Sequence, residues 1–170
     1  LQEAEALYRQ ILLVQPNHAD ALHLLGVLAH QVGKHEIAVE YIARAIVLNP
    51  AAAEHHNNIG TVYKALGKLE EAVVHYQRAV VLKPAYAEAY YNLGNARRDK
   101  GELEDAVGHY QQALALKPAY AEAHNNLGIA FKGQGKLEEA MEHYRQALSL
   151  KPAYAEAHNN LGIAFKGQGK

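Results

Sequence analysis

Apolar residues along this chain recur every three or four positions, in segments separated by turns that contain glycine or proline. In one such segment, Tyr90, Leu93 and Ala96 share one face of a helix, as expected for a helix packed on one side. The prolines recur every 34 residues, at Pro16, Pro50, Pro84, Pro118 and Pro152. A fixed period of this length predicts a repeated hairpin made of helix A, a glycine turn, helix B and a proline turn.

Alignment on the prolines divides the chain into repeats of a single all-α solenoid that spans residues 1–170. The whole repeats are 19–52, 53–86, 87–120 and 121–154. Residues 1–18 supply a helix B alone, and residues 155–170 supply a helix A alone. A stack of hairpins has long surfaces and few deep pockets, so this architecture favours binding over catalysis. We expect no enzymatic activity.

Small residues inside helix A predict where two helices approach closely. A glycine in a helix interior costs roughly 1 kcal/mol relative to alanine, so its presence needs a physical reason. We attribute it to close contact with helix B, at positions one period apart: Gly26, Gly60, Gly94, Gly128 and Gly162. A second set of glycines follows helix A, where a left-handed residue is needed: Gly33, Gly67, Gly101, Gly135 and Gly169.

These features resemble the tetratricopeptide repeat family over the whole chain. In the second whole repeat the matching residues are His56, Ile59, Gly60, Tyr63, Ala72, Tyr76, Ala79 and Pro84. The resemblance implies a right-handed superhelix whose A helices line a concave groove. One departure is Arg97, which stands where other repeats have Tyr63 and Phe131. We expect the stem of Arg97 to cover the helix seam while its charged head stays in water.

Three rows of polar residues are predicted to face this groove. The second residue of each repeat is acidic: Asp20, Glu54, Glu88, Glu122 and Glu156. The sixth residue is Leu24 in the first whole repeat and an amide afterwards: Asn58, Asn92, Asn126 and Asn160. The twelfth residue is basic, and its candidate ligand contacts are Lys64, Arg98 and Lys132. Both charged rows also suit the helix macrodipole, which is an alternative explanation for them.

The row of asparagines is the main candidate for a binding site. Asparagine is a mediocre helix former, and its amide carries two donors and two acceptor lone pairs. Amides spaced along a groove can pair with the N–H and C=O groups of an extended peptide and so recognise its backbone. Alternatively, they bond to neighbouring repeats or to water. Further candidates are the amides Asn125 and Asn95 and the aromatic Tyr91, which is either an anchor for the ligand or a solvent-facing side chain.

A finer resemblance is carried by residues 1–50 and by the segments AEAYYNLGNA and AEAHNNLG. These are similar to the repeat arm of O-linked N-acetylglucosamine transferase and its SPINDLY-like bacterial relatives. There, asparagines at the positions of the predicted row hold the backbone of protein substrates. The resemblance implies a substrate-recognition arm as an alternative function. The carboxylate clamp of chaperone-binding members is not expected, because it needs Lys and Arg where this chain has acidic and amide residues.

Composition narrows the range of partners. The chain has 17 basic and 18 acidic residues, so bulk charge attracts neither nucleic acid nor an anionic membrane. It has no cysteine, which excludes thiolate metal sites and fits a cytoplasmic protein. Histidines such as His75, His109 and His143 lie a full period apart, whereas a metal ligand must lie about 2 Å from its ion. We therefore expect no metal and no cofactor, and a protein or extended peptide as the partner.

The two partial repeats are complementary. Residues 117–136 and 151–170 are identical. The last helix A therefore has the same sequence as an earlier helix A, which is followed by a helix B. Helix A of residues 155–170 could pack on helix B of residues 1–15 in another copy and complete a repeat in register. This head-to-tail contact would build an open-ended scaffold. The alternative is that the sequence is a truncated piece of a longer solenoid.

Overall fold

A computed structural model describes residues 2–167, most of which lie in ten α-helices. In chain order, α1 to α10 are Gln2–Val14, Ala19–Gln31, His35–Leu48, Ala53–Ala65, Leu69–Leu82, Ala87–Asp99, Leu103–Leu116, Ala121–Gly133, Leu137–Leu150 and Ala155–Gly167. Even-numbered helices are the predicted A helices, and odd-numbered helices are the B helices. No strand occurs between residues 2 and 167, and the prediction of an all-α fold of helix-turn-helix repeats is confirmed.

Glycine turns separate each A helix from the B helix that follows it. Gly101 has a φ of 82°, a left-handed conformation that carries a steric penalty for residues with a Cβ. The N–H groups of Gly101 and Glu102 donate to the carbonyls of Arg98 and Arg97, which the helix end would otherwise leave unpaired. Three other turn glycines also have positive φ: Gly33, Gly67 and Gly135. The remaining predicted turn glycine, Gly169, lies outside the described residues.

The helices form two compact units. The first unit extends to Pro84 and contains α1–α5, and the second starts at Ala85 and contains α6–α10. In the first unit α2 contacts α4, and in the second α8 contacts both α6 and α10. No B helix contacts another B helix within the described part of either unit. The A helices are therefore the layer in which neighbouring hairpins can share one surface.

The tightest packing inside a hairpin is between a helix A glycine and a helix B side chain. A Cβ built on Gly94 would lie 2.7 Å from the ring of Tyr110. On Gly128 it would lie 2.6 Å from the ring of Tyr144 and 3.0 Å from the backbone oxygen of Ala140. The predicted close approach of helix B is confirmed at four positions: Gly26, Gly60, Gly94 and Gly128.

Arg97 departs from the expectation that its charged head lies in water. Its guanidinium pairs with the carboxylates of Glu102 and Asp105, and its side chain is only 19% exposed. The glycine turn brings the start of α7 beside the end of α6, which places both carboxylates within reach. Hydrogen bonding to Arg97 is the main reason that the pKa of Glu102 lies below its usual value. Pairing thus offsets the cost of partly burying the guanidinium.

A matched pair of substitutions tests the glycine contact, because α8 and α10 have identical sequences. Gly128→Ala should destabilise the protein by about 1–3 kcal/mol, since its methyl group would overlap Tyr144 and the Ala140 carbonyl. Gly162→Ala should stabilise it by about 0.5–1 kcal/mol, because no neighbouring described atom lies within 4 Å and alanine favours the helix. Urea unfolding followed by circular dichroism measures both free energies. Equal effects at the two positions would contradict this account.

Candidate functional site

The predicted row of asparagines lies on the A helices and is less exposed than an open groove floor would be. Asn126 and Asn160 are each 8% exposed. Asn58 in the first unit and Asn92 in the second are half-buried. The three basic candidates are also half-buried: Lys64, Arg98 and Lys132. Their degree of burial means that the contacts of these side chains within the protein determine what they can offer a ligand.

In the second unit, hydrogen bonds join amides on three successive A helices. Asn160 on α10 donates from Nδ2 to Oδ1 of Asn125 on α8, at 3.0 Å. Asn125 donates to Oδ1 of its neighbour Asn126 at 3.3 Å. Asn126 donates to Oδ1 of Asn95 at 2.8 Å and to the hydroxyl of Tyr91 at 3.1 Å, both on α6. We call this connected set the amide chain; it contains Tyr91, Asn95, Asn125, Asn126 and Asn160.

Asn125 is the fully buried member of the amide chain. Besides its bond to Asn126, its Nδ2 donates to Oε1 of Glu156 at 3.2 Å, and its Oδ1 accepts from Asn160. Its side chain is 0% exposed. A buried amide needs partners of this kind, since an unsatisfied one is costly. In this structure Asn125 therefore orients Asn126 and Asn160.

Helix B also fixes the amide chain, through a buried tyrosine that corresponds to Tyr76 of the second whole repeat. Tyr110 on α7 lies against Gly94 and donates from its hydroxyl to Oδ1 of Asn95 at 2.8 Å. Burial raises the pKa of Tyr110 well above its ordinary value, so the hydroxyl stays protonated and remains a donor. Asn95 thereby accepts from both Tyr110 and Asn126. Tyr110 thus serves both the packing of its hairpin and the orientation of the amide chain.

In the first unit, Asn58 has a different partner. Its Nδ2 lies 2.8 Å from Nε2 of His23 on α2, and its Oδ1 accepts from Nδ2 of Asn57 at 3.3 Å. Because Nδ2 can only donate, Nε2 of His23 accepts and carries no proton. Burial, followed by the charge of nearby His55, lowers the pKa of His23 to about 4, which agrees with this role. His23 stands at the repeat position that Asn57 and Asn125 occupy in later repeats, so the sequence did not single it out.

Some hydrogen-bonding capacity of the row is left over. An amide can donate twice and accept twice. In bonds between described residues, Asn126 uses both donors and one lone pair, whereas Asn58 uses one donor and one lone pair. Asn160 uses one donor in the same way. Each of the three side chains therefore retains at least one lone pair that can accept a hydrogen bond.

Lysines of the same repeat partly neutralise the acidic edge of the A-helix face. Glu54 accepts from Nζ of Lys83 at 2.6 Å, and Glu122 accepts from Nζ of Lys151 at 3.1 Å. The hydrogen bond from Lys83 is the main cause that lowers the pKa of Glu54. For Glu122, a hydrogen bond from its own backbone lowers the pKa first, and Lys151 adds to the effect. These pairs join the start of helix A to the end of helix B, so the edge contributes to folding.

Histidine pairs connect helix A to helix B, and two of these pairs occupy equivalent positions of their hairpins. The Nδ1 atoms are 3.1 Å apart between His56 and His75, and 3.2 Å apart between His124 and His143. Nε2 of His56 donates to the carbonyl of Pro50, so in the neutral ring its Nδ1 is an acceptor. His75 must then donate from Nδ1. Protonation of His56 at Nδ1 would set two N–H groups against each other, so each pair favours the neutral state of its helix A histidine.

No group of three or more His, Asp or Glu side chains between residues 2 and 167 is arranged to hold a metal ion. No helix in the described part of the chain is both long and apolar enough to cross a membrane.

Known sequence families match almost the whole chain. A family model described as TPR repeat matches residues 60–97, 94–135 and 130–169. A second model, described as tetratricopeptide repeat, matches residues 1–53. None of the curated protein sequences compared with the chain matches it.

Solved structures with a similar fold include several repeat proteins. A crystal structure of MamA is 29% identical, with 88% of this chain and 87% of that one covered and a TM-score of 0.80. The first TPR of Spaghetti (RPAP3), bound to the HSP90 peptide SRMEEVD, is 27% identical over 69% of this chain and 94% of its own, with a TM-score of 0.68. YrrB, described as a TPR protein with an unusual peptide-binding site, is 23% identical over 93% and 81%, with a TM-score of 0.79, and shows the fold alone.

The histidine pairs predict that stability falls in mild acid. Burial lowers the pKa of His124 and His143, so the unfolded chain takes up protons at a higher pH than the folded chain. The contribution of this pair is therefore complete above the unfolded value near 6.5 and is lost as pH falls through the folded values. His124→Tyr copies the Tyr90–His109 contact of the preceding hairpin. It should reduce proton uptake on unfolding by up to about one proton.

Urea unfolding at a series of pH values between 7 and 4 measures that uptake. The matched control is His158→Tyr, which changes the exposed histidine at the same position of α10. The free energy of unfolding should depend less steeply on pH in His124→Tyr than in His158→Tyr. Equal slopes in the two variants would contradict the role assigned to the pair.

Proposed function

Because this chain belongs to the tetratricopeptide repeat family, we propose that it is a protein-interaction module that binds an extended protein segment on its A helices. The side-chain amides of the predicted row contact the backbone of a bound segment, through Asn58 in the first unit and through Asn92, Asn126 and Asn160 in the second. Each unit presents its own A-helix face, and the chain catalyses no reaction. The observation that carries the proposal is the amide chain, which holds Asn126 and Asn160 in fixed orientations.

Fixed orientations favour binding because the side chains have little freedom left to lose. Immobilising a flexible side chain at an interface costs about 0.5–1.5 kcal/mol, and preorganisation avoids that cost. Asn126 is bonded to Asn95, Tyr91 and Asn125, and Asn160 is bonded to Asn125. In this proposal Asn95 and Asn125 position the row, while Tyr91 both bonds Asn126 and borders the ligand.

The remaining bonding capacity suits a peptide backbone. The lone pair left on Asn126 accepts a backbone N–H of the segment, and the remaining donor of Asn58 reaches a backbone carbonyl. A backbone offers both groups at every residue apart from proline, so recognition of this kind depends weakly on side chains. We place three basic residues beside the segment's side chains: Lys64, Arg98 and Lys132.

The relative bound to an HSP90 peptide supports segment binding in general. We expect the segment bound by this chain to differ from that peptide. That peptide, SRMEEVD, is acidic. The second position of the repeats in this chain is acidic as well, and Glu54 and Glu122 already accept from lysines. We therefore propose a segment that is recognised through its backbone rather than through an acidic terminus.

A second candidate function is head-to-tail association of copies, favoured by an uncovered face on α10. Gly162 has no neighbouring described atom within 4 Å of its Cβ position, whereas Tyr144 covers the equivalent Gly128. Phe165 is 36% exposed, whereas its counterpart Phe131 packs on His143 with ring centroids 5.5 Å apart. Gly162 and Phe165 of α10 are therefore uncovered at the positions where α9 covers Gly128 and Phe131 of α8.

The complementary face lies on α1. In the sequence, Tyr8 and Leu7 precede Pro16 by the same number of residues as Tyr144 and His143 precede Pro152. Tyr8 therefore corresponds to Tyr144, and Leu7 corresponds to His143. Leu7 is 59% exposed. In a head-to-tail contact, Tyr8 of one copy lies on Gly162 of another, and Leu7 covers Phe165. The contact is heterologous, so it adds copies without closing a ring unless the rotation returns to the start.

The backbone-reading proposal predicts that Asn92→Ala combined with Asn126→Ala weakens segment binding about tenfold or more. The reason is the loss of two hydrogen bonds worth about 0.5–1.5 kcal/mol each. The probe is a linear peptide selected from a displayed random library on the wild-type protein, and fluorescence anisotropy measures its affinity. Methylation of single backbone nitrogens in the probe should cause losses of similar size at the contacted positions.

Asn159→Ala is the matched control, because Asn159 is an exposed amide next to Asn160 but outside the row. It should bind the probe as the wild type does, and the SRMEEVD peptide should not compete. Circular dichroism establishes that the double variant is folded. Unchanged affinity in a folded double variant, together with tolerance of every backbone methylation, would refute the proposal.

The self-association candidate predicts that the average mass of the wild type rises with concentration in sedimentation equilibrium. Leu7→Glu should remain monomeric, since it would place a carboxylate against Phe165 of the next copy. Leu13→Glu is the control, because Leu13 is 83% exposed and its equivalent Ser149 is also exposed and donates to the Gln146 carbonyl of its own helix. A monomeric wild type at all concentrations would rule this candidate out, as would equal disruption by both substitutions.

A further inference from the structure

A small cavity lies between α2 and α4 in the first unit, next to the proposed backbone contact Asn58. Its volume is about 50 Å³. Side chains from α2, α3 and α4 line it: Val27, His30, Ile42, Asn58, Thr61 and Val62. A cavity needs only about 10–15 Å³ on a comparable measure to hold one water, so this one has room for a small side chain.

Comparison with the junction of α6 and α8 explains why the cavity exists. At the positions of Val27 and Ile42, that junction has Asn95 and Tyr110, which bond to each other. Asn126, which corresponds to Asn58, donates to Asn95 there. In the first unit, the shorter Ile42 and the apolar Val27 leave space where the second unit has side chains and hydrogen bonds.

Thr61 and one ring nitrogen of His30, both at the cavity wall, already have hydrogen-bond partners. The hydroxyl of Thr61 donates to the backbone oxygen of Asn57 and accepts from the hydroxyl of Tyr76. Nδ1 of His30 is bonded to Nδ1 of His35 at 3.0 Å. Asn58 keeps one donor and one lone pair. The cavity therefore offers apolar walls from Val27, Ile42 and Val62 beside an amide with spare capacity.

We propose that this cavity is a specificity subsite that takes one short aliphatic side chain, of the size of valine, from a bound protein segment. Asn58 holds the segment's backbone next to that residue. The inference rests on the proposed function, and it adds side-chain selectivity in the first unit to backbone recognition. The cavity is continuous with the proposed contact surface, because Asn58 belongs to both.

The test uses a peptide selected from a displayed random linear library on the wild-type protein, with valine, glycine or phenylalanine placed at each position in turn. Fluorescence anisotropy should reveal one position where valine binds about tenfold or more tightly than glycine. Phenylalanine should bind worse there, because the cavity is too small for its ring. Ile42→Phe should fill the cavity and abolish the valine preference, while the glycine peptide keeps its affinity. Ile42 is replaced by phenylalanine and not by tyrosine, because a tyrosine hydroxyl would lie against the apolar side chain of Val27.

Val27→Leu is a second filling variant, which keeps the test decisive if Ile42→Phe does not fold. The subsite is overturned if no position prefers valine, or if the preference survives in a folded filled variant. Filling that raises the melting temperature but leaves the preference unchanged would show a packing defect only. These outcomes leave the proposed function intact, because the peptide still binds. Failure to select any peptide that binds the wild type would overturn both proposals.

Discussion

The contact between a helix A glycine and a helix B tyrosine is the constraint on which the rest of this structure depends. Without a Cβ on Gly94, the ring of Tyr110 can lie directly against helix A. The same placement brings the tyrosine hydroxyl to Asn95, in the layer where successive A helices meet. One close contact thus sets the packing of the hairpin and orients the polar groups between hairpins. A larger residue at this glycine would disturb both at once.

The polar layer between A helices differs in the two units, and the difference has a physical origin. In the second unit, amides bond to amides, so Asn126 is held by partners on two helices. In the first unit, Ile42 brings no hydroxyl to this layer, and Asn58 bonds to His23 instead. A well-connected polar network is rigid, whereas in the first unit the shorter Ile42 leaves a cavity beside Asn58, which keeps one donor and one lone pair. The first unit is accordingly where we infer side-chain selectivity.

Much of the fold, and less of the site, follows from the sequence. The period and the helix A glycines predict the hairpins, because each hairpin is a local structure whose pattern recurs. The hydrogen-bond partners of Asn126 and Asn58 were not predictable. They depend on which positions of adjacent repeats face each other. Arg97 was misjudged because two carboxylates across the glycine turn pair with its guanidinium, which the sequence pattern did not indicate. The repeat boundaries, the role of the asparagine row and the finer resemblance to a glycosyltransferase arm stay predictions.

Side-chain amide resonances offer the most direct view of the central claim, that oriented asparagines on the A helices read a peptide backbone. Titration of the ¹⁵N-labelled protein with a library-selected linear peptide, followed by NMR, resolves the NH₂ group of each asparagine. The account predicts that the resonances of Asn58, Asn92, Asn126 and Asn160 shift as the peptide is added, while that of Asn159 does not. Shifts confined to residues of the B helices, with the four amides unmoved at saturation, would contradict it.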